Sequence, residues 1–140
     1  MTYLLDTNVV SELRKVKAGR ADPRVKAWVD SVDAATMFLS VMTVMELELG
    51  ALLMERRGRR QGALLRSWLE TQILPAFEDR ILSADIAVVR SAAALHVPNL
   101  RPERDALIAA TALVHGMTVV TRNVRDFEST GVSILNPWNN

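Results

Sequence analysis

The sequence has 140 residues, 49% apolar and 24% charged, which is the size and composition of a single folded domain and excludes intrinsic disorder. It has no cysteine, which excludes a disulfide framework, a thiolate zinc site and a cysteine nucleophile. A formal charge of +1 excludes a global field that would hold the protein on nucleic acid, so any such contact has to be local.

Tyr3-Leu4-Leu5 is a short apolar run that stops at Asp6, and Thr7 to Leu13 follows with helical spacing, so a buried strand leads straight into a helix. Asp6 also interrupts the N-terminal apolar stretch before it could act as a signal peptide, and no apolar run nears the roughly 18 residues a membrane span needs. The expectation is a soluble cytoplasmic protein with no membrane contact. Pro23 opens a helix to Val32, with Val25, Trp28, Val29 and Val32 on one face. Met37 to Ser40 reads as a second buried strand.

Leucines recur at helical spacing from Thr43 to about Arg57 and from Arg60 to Leu74 around Gly58, predicting a helical hairpin. Its leucines, Leu47, Leu49, Leu52, Leu53, Leu64, Leu65 and Leu69, are expected in the core. A brief strand at Arg80-Ile81-Leu82 precedes a helix from Ala84 to His96. After Pro98 and Pro102 comes an alanine-rich helix, Glu103 to His115, ended by Gly116. Met117 to Thr121 is the clearest strand, a short helical turn follows Asn123, and Val132 to Leu135 is the last strand. Alternating strands and helices predict an α/β fold, one domain over residues 1–140, with a mostly parallel sheet of about five short strands covered by helices on both faces.

In open parallel sheets the carboxyl ends of the strands form the binding crevice. Asp6 ends the first strand, Glu46 lies in the first turn of the helix after the second, Asp105 in the first turn of the alanine-rich helix, and Asp126 soon after the fourth strand. Each also passes as a helix-cap residue: Thr43 and Glu46 have capping-box spacing, Asp6 can be an N-cap, Asp105 can favour the helix dipole, and Asn123 with Asp126 resembles a cap. Several carboxylates converging on one edge would repel one another unless a cation neutralised them, and oxygen-only ligands suit Mg²⁺ or Mn²⁺. Asn8, Ser40, Thr43, Thr121 and Asn123 supply polar groups to orient the acids or hold a phosphate. His96 and His115 both fall at helix C-terminal ends, where an imidazolium is favoured anyway. No phosphate loop or nucleophile elbow is present, which leaves metal-assisted hydrolysis of a phosphodiester. Glu46 can bind the metal or act on the attacking water, and Asp126 can complete the inner or outer set of ligands.

Four ordered runs, LLDTNVVSEL from Leu4, LSVMTVMELELG from Leu39, RDALIAATA from Arg104 and VTRNVRDFESTGVSILNPW from Val120, resemble PIN-domain proteins and more narrowly VapC-type toxins, the ribonuclease half of bacterial toxin-antitoxin pairs. The resemblance implies a PIN fold, Mg²⁺-dependent endonucleolytic cleavage of RNA, homodimerisation, and inhibition by a VapB-type antitoxin lying across the active-site groove. It carries the family's acids onto Asp6, Glu46 and Asp105. Where some relatives have an acid directly after the Thr-Arg pair, this chain has Asn123, with Asp126 three residues later, so either can complete the site. The apolar hairpin can additionally accept an antitoxin helix, with Trp68 and Trp138 as interface residues. Two basic clusters, Arg14, Lys15, Lys17, Arg20, Arg24 and Lys26, and then Arg56, Arg57, Arg59 and Arg60, read as solvated surface or as nucleic-acid contacts. The alternative is a catalytically silent PIN-like or receiver-like regulatory module. A receiver would carry adjacent acids after the first strand, and only Asp6 stands there.

Overall fold

The structure, a computed structural model, describes residues 1–139. Five strands, β1 (Tyr3–Leu5), β2 (Met37–Ser40), β3 (Ile81–Leu82), β4 (Thr118–Val120) and β5 (Ser133–Leu135), form one parallel sheet in the order β3-β2-β1-β4-β5. Tyr3 is in register with Met37 on one side and Thr118 on the other, which puts β1 at the centre. The chain leaves β1 toward β2 and later returns to β4 on the opposite side. The strand order therefore reverses at β1, and the crevice of an open α/β sheet opens beyond the carboxyl ends of β1 and β4.

Alternation along the strands divides the core into two layers. Leu5 and Val120 face α1 (Thr7–Leu13), α2 (Pro23–Ser31) and α3 (Val41–Arg57), where Val9, Val10, Trp28 and Leu47 close the layer. Their neighbours Leu4 and Val119 face the other way, onto Ile108, Ala109 and Ala112 of α7 (Glu103–His115) and onto Phe127. The alanines give α7 both its helix propensity and its close fit against α6 (Ile86–Leu95), through Ala106, Ala110, Val88 and Ala92. Gly116 ends α7 in the left-handed conformation, φ 66°, that favours glycine.

The hairpin partner of α3 is α4 (Arg59–Trp68), continued by a π turn over Leu69–Ile73 into α5 (Leu74–Ala76). Pro75 lacks an N–H and its ring crowds the carbonyl of Thr71, so the helix widens just before it. The two helices touch at Gly62, where a Cβ would run into the Glu55 backbone.

Three expectations are corrected. Leu47 and Leu69 are buried and Leu65 half-buried, but Leu49, Leu52, Leu53 and Leu64 are exposed, because α3 carries one apolar stripe toward the sheet and a second toward solvent, and Leu64 of α4 points away from the core. Trp138 is a core residue packed under the Arg122 guanidinium, 5.3 Å from its ring centre, and not a surface anchor. The capping box at Thr43 does not form: α3 begins two residues earlier, Ser40 caps it by accepting from the Met42 N–H at 3.0 Å, and Glu46 falls in its second turn. No helix among the described residues is long and apolar enough to cross a membrane.

Candidate active site

Asp6 is the junction of β1 and α1 and is buried, with 1% of its surface exposed. One carboxylate oxygen accepts from the Thr7 N–H at 2.8 Å, so the residue is a helix cap; the other accepts from the Thr121 hydroxyl at 2.8 Å, just past the end of β4. The same side chain thus caps a helix and ties β1 to β4 at the point where the strand order reverses. Asn8 and Asn123 complete this polar knot: the Asn123 N–H donates to the Thr121 hydroxyl at 3.0 Å, and the Asn8 amide reaches Asp6 and Thr121 at 3.4 Å each.

Glu46 reaches the same place from α3, accepting from the Thr7 hydroxyl at 2.5 Å. Thr43, buried one helical turn before it, contributes a longer contact to Thr7 at 3.4 Å. Asp105 enters from the first turn of α7 and is also buried. Ser40 is buried at the cap of α3, where its hydroxyl is engaged in capping. Asp126 is exposed on a short 3-10 turn, Val124–Asp126, and lies near enough to Asp105 to raise its pKa. Asp6, Glu46 and Asp105 are therefore brought together, and Asp126 stands on the rim. His96 closes α6 and pairs with Glu103 at 2.9 Å, while His115 is the last residue of α7, so both occupy helix C-terminal positions.

The residue that sequence reasoning did not single out is Arg104. Its guanidinium donates to both oxygens of Glu46 at 3.1 Å and to Asp105 at 2.9 Å, and stands 3.8 Å from Asp6. Although burial disfavours its charge, the carboxylates of Glu46, Asp105 and Asp6 hold its pKa above the ordinary value. Its position directly before Asp105, within a matched motif, was the available signal. Residues adjacent in a helix do not face each other, however, so spacing alone gives no hint that Arg104 folds back over Asp105.

One guanidinium does not satisfy three acids. Burial raises the Asp6 pKa even against the bonds from Thr121 and Thr7, and burial likewise raises that of Asp105, where Asp126, Asp6 and Glu46 add to it against the attraction of Arg104. Carboxylates in this condition favour a cation, and an all-oxygen donor set fits Mg²⁺ or Mn²⁺. Among the described residues no three acids or histidines already converge at ion-binding spacing, and Arg104 occupies the space between them.

A groove of about 1030 Å³ leads away from Thr7 and Glu46, between Arg14, Lys17 and Arg20 on one wall and Leu64 and Trp68 on the other. The first basic cluster thus divides: Lys15 joins this groove, while Arg24 pairs with Asp22 and Lys26 with Asp30 on the surface.

The PIN domain model matches residues 3–132, a span that includes all four acids. The chain is 40% identical over 140 residues to the VapC ribonuclease Y4jK of Sinorhizobium fredii, covering 96% of each chain. It is 40% identical over 141 residues to the toxin FitB of Neisseria gonorrhoeae, covering 96% of this chain and 97% of that one. The crystal structure of FitAcB from Neisseria gonorrhoeae superimposes with a TM-score of 0.89 at 36% identity, over 99% of this chain and 100% of that chain. On the strength of a match that runs through every site acid and of near full-length relatives, the chain belongs to the PIN domain family.

Proposed function

We propose that this protein is a single-domain endoribonuclease that hydrolyses RNA phosphodiesters with Mg²⁺ or Mn²⁺ in the cytoplasm, and that it acts as the toxin of a toxin-antitoxin pair. The observation that carries the reading is the gathering of Asp6, Glu46 and Asp105, from three separate elements, around one point at the strand-order reversal. Asp6 and Asp105 are buried and Glu46 half-buried, a grouping of acids that costs stability, and hydrolytic chemistry is a function that accounts for it. Asp6, Glu46 and Asp105 would hold the ion, with Asp126 as a fourth group on the rim. The ion when bound supplies Lewis-acid activation of water and stabilisation of charge on the phosphodiester oxygens. Thr121 and Thr7 keep Asp6 and Glu46 in place by donating their hydroxyl hydrogens. The basic wall of the groove gives a path for the phosphates of a single strand, and Trp68 opposite offers an apolar plane for a base.

Relatives named a VapC ribonuclease and a toxin support RNA cleavage and the toxin role. The exposed Leu49, Leu52 and Leu53 of α3 and Leu64 of α4 are the residues we assign to a VapB-type antitoxin helix, with homodimerisation through other apolar surface. The test is incubation of purified protein with total RNA. Discrete fragments are expected with Mg²⁺ or Mn²⁺, none with EDTA, and none from Asp6→Asn; cleavage by Asp6→Asn at the parent's rate would refute the assignment. Co-expression with the product of the adjoining reading frame should give a complex that no longer cleaves.

A further inference from the structure

We infer that Arg104 is an internal counter-cation that occupies the carboxylate site in the metal-free protein and has to swing out to admit a divalent ion. The inference rests on the metal-site reading above and concerns how that site is filled. Arg104 donates to both Glu46 oxygens and to one Asp105 oxygen, so the guanidinium stands on the side of these carboxylates where an ion shared between them would sit. An ion cannot share those directions with the guanidinium, and the two positive charges would repel across a few ångströms in a partly dry site. The third contact, 3.8 Å to Asp6, is longer than a hydrogen bond, so the guanidinium balances Asp6 by charge alone.

The geometry also provides the exit. Arg104 is rooted in the first turn of α7, beside solvent, and its side chain is 32% exposed while Asp6 and Asp105 are almost fully buried. Rotation about the long side chain takes the guanidinium outward without disturbing α7, whereas the acids stay fixed by Thr7, Thr121 and the helix starts. Because Arg104 is covalently next to Asp105, this competitor is present in every molecule at a constant local concentration. It keeps the acids from repelling one another when metal is scarce, and it lowers the apparent affinity for metal in return. Ion occupancy and guanidinium position are then two faces of one equilibrium.

Calorimetric titration of the parent, Arg104→Gln and Arg104→Lys with Mn²⁺ tests this, with circular dichroism melts confirming that each is folded. Arg104→Gln should bind Mn²⁺ about tenfold tighter or more, since a charge-assisted pair no longer has to be broken. Arg104→Lys, with a single charged point and no fork, should fall between it and the parent. Equal or weaker binding by Arg104→Gln overturns the inference while leaving the metal site standing; no Mn²⁺ binding by any of the three proteins removes the metal reading and this one with it. The unaltered protein provides an independent check by nitrogen-15 spectroscopy of its arginines. The Nη–H signals of Arg104 should be slowly exchanging without metal and exchange rapidly at saturating Mg²⁺. Signals that stay unchanged on saturation overturn the displacement.

Discussion

Two arginines in this molecule are each surrounded by three carboxylates, and they behave in opposite ways. Arg66, on α4, bonds Glu48 at 2.7 Å and Glu55 at 3.0 Å, with Glu70 at 3.7 Å, and all three acids are 39–60% exposed at their side chains. Arg104 bonds Glu46 and Asp105 and approaches Asp6, where Asp6 and Asp105 are 1% and 6% exposed. Around Arg66 the hydrogen bond to the guanidinium dominates and lowers the Glu48 pKa; around Arg104 burial dominates and raises those of Asp6 and Asp105. The same set of charges is therefore a surface clasp in one place and an unrelieved site in the other. Solvent decides which: water screens the first cluster and leaves the second asking for more positive charge.

The largest expected contrast is in catalysis. Asp105→Asn should lower RNA cleavage by about 10³-fold, the scale of losing a main stabiliser of charge in the reaction, whereas Glu48→Gln, a loss of the same charge 2.7 Å from the other arginine, should leave the rate within twofold, roughly the assay error for a surface change. Gel-based cleavage of one labelled RNA measures both. Comparable losses from the two substitutions would mean that burial does not separate the clusters.

Next in size is Gly62→Ala, which strikes the hairpin on which the exposed cluster is built. Its new Cβ would meet the Glu55 backbone, so α4 has to move off α3 and Arg66 loses its place over Glu48 and Glu55. A loss of about 1–3 kcal/mol is expected from such overpacking, read by urea denaturation. The affinity for Mn²⁺ should fall much less than the stability, because Asp6 lies at the β1–α1 junction and Asp105 on α7, and Glu46, the one acid of the site on α3, is more than two turns from Glu55.

Asp6→Asn should do the reverse and stabilise the metal-free protein. A carboxyl whose pKa is raised on folding is bound more tightly to its proton in the native state. Its contribution is therefore fully present below the ordinary value of 3.8 and is lost as pH rises through the native value. At neutral pH the parent carries that penalty and the asparagine does not, so the variant should melt at a higher temperature than the parent. The difference should vanish in acid below the carboxylate range. Saturating Mn²⁺ should invert it, because only the parent gains binding energy. Melting curves from acid to neutral pH, with EDTA and with Mn²⁺, give all three comparisons.

The contrast between the two arginines also marks how far the sequence could be read. Local pattern sufficed for the strands, since Leu4-Leu5 and Val119-Val120 alternate between two buried faces, and for Asp6 at the end of β1 and Asp105 in the first turn of α7, but it put Glu46 one turn too early in α3. It failed where one local pattern has two tertiary outcomes. Leucines four residues apart were expected in the core, yet Leu49 and Leu53 look outward while Leu47 and Ala51 look in, because which stripe meets the sheet depends on the packing angle of the whole helix. Trp138 was expected at an interface, but the tail folds back so that its ring fills the first core layer. Arg104 was invisible for the same reason: its partners Glu46 and Asp6 are 58 and 98 positions away, a juxtaposition made by the sheet and not by the helix that carries it.

The smallest effect expected is also the most discriminating for the exposed cluster. Arg66 lies between Glu48 and Glu55 of α3 and Glu70 one turn along its own helix, so it links the hairpin and balances three acids at once. Removing it leaves those acids repelling one another, yet each is open to water and can turn away. Arg66→Gln should therefore lower the melting temperature by only about 2 °C or less in low salt, as for other solvent-exposed ion pairs. At 1 M salt, where the screening length is about 3 Å, parent and variant should melt together. Asp6 and Asp105 are shielded from those ions by protein, so the gain in stability from Asp6→Asn should persist in the same salt. A salt-insensitive Arg66 effect would mean that its cluster is as dry as the one around Arg104, and burial would no longer be what distinguishes the two.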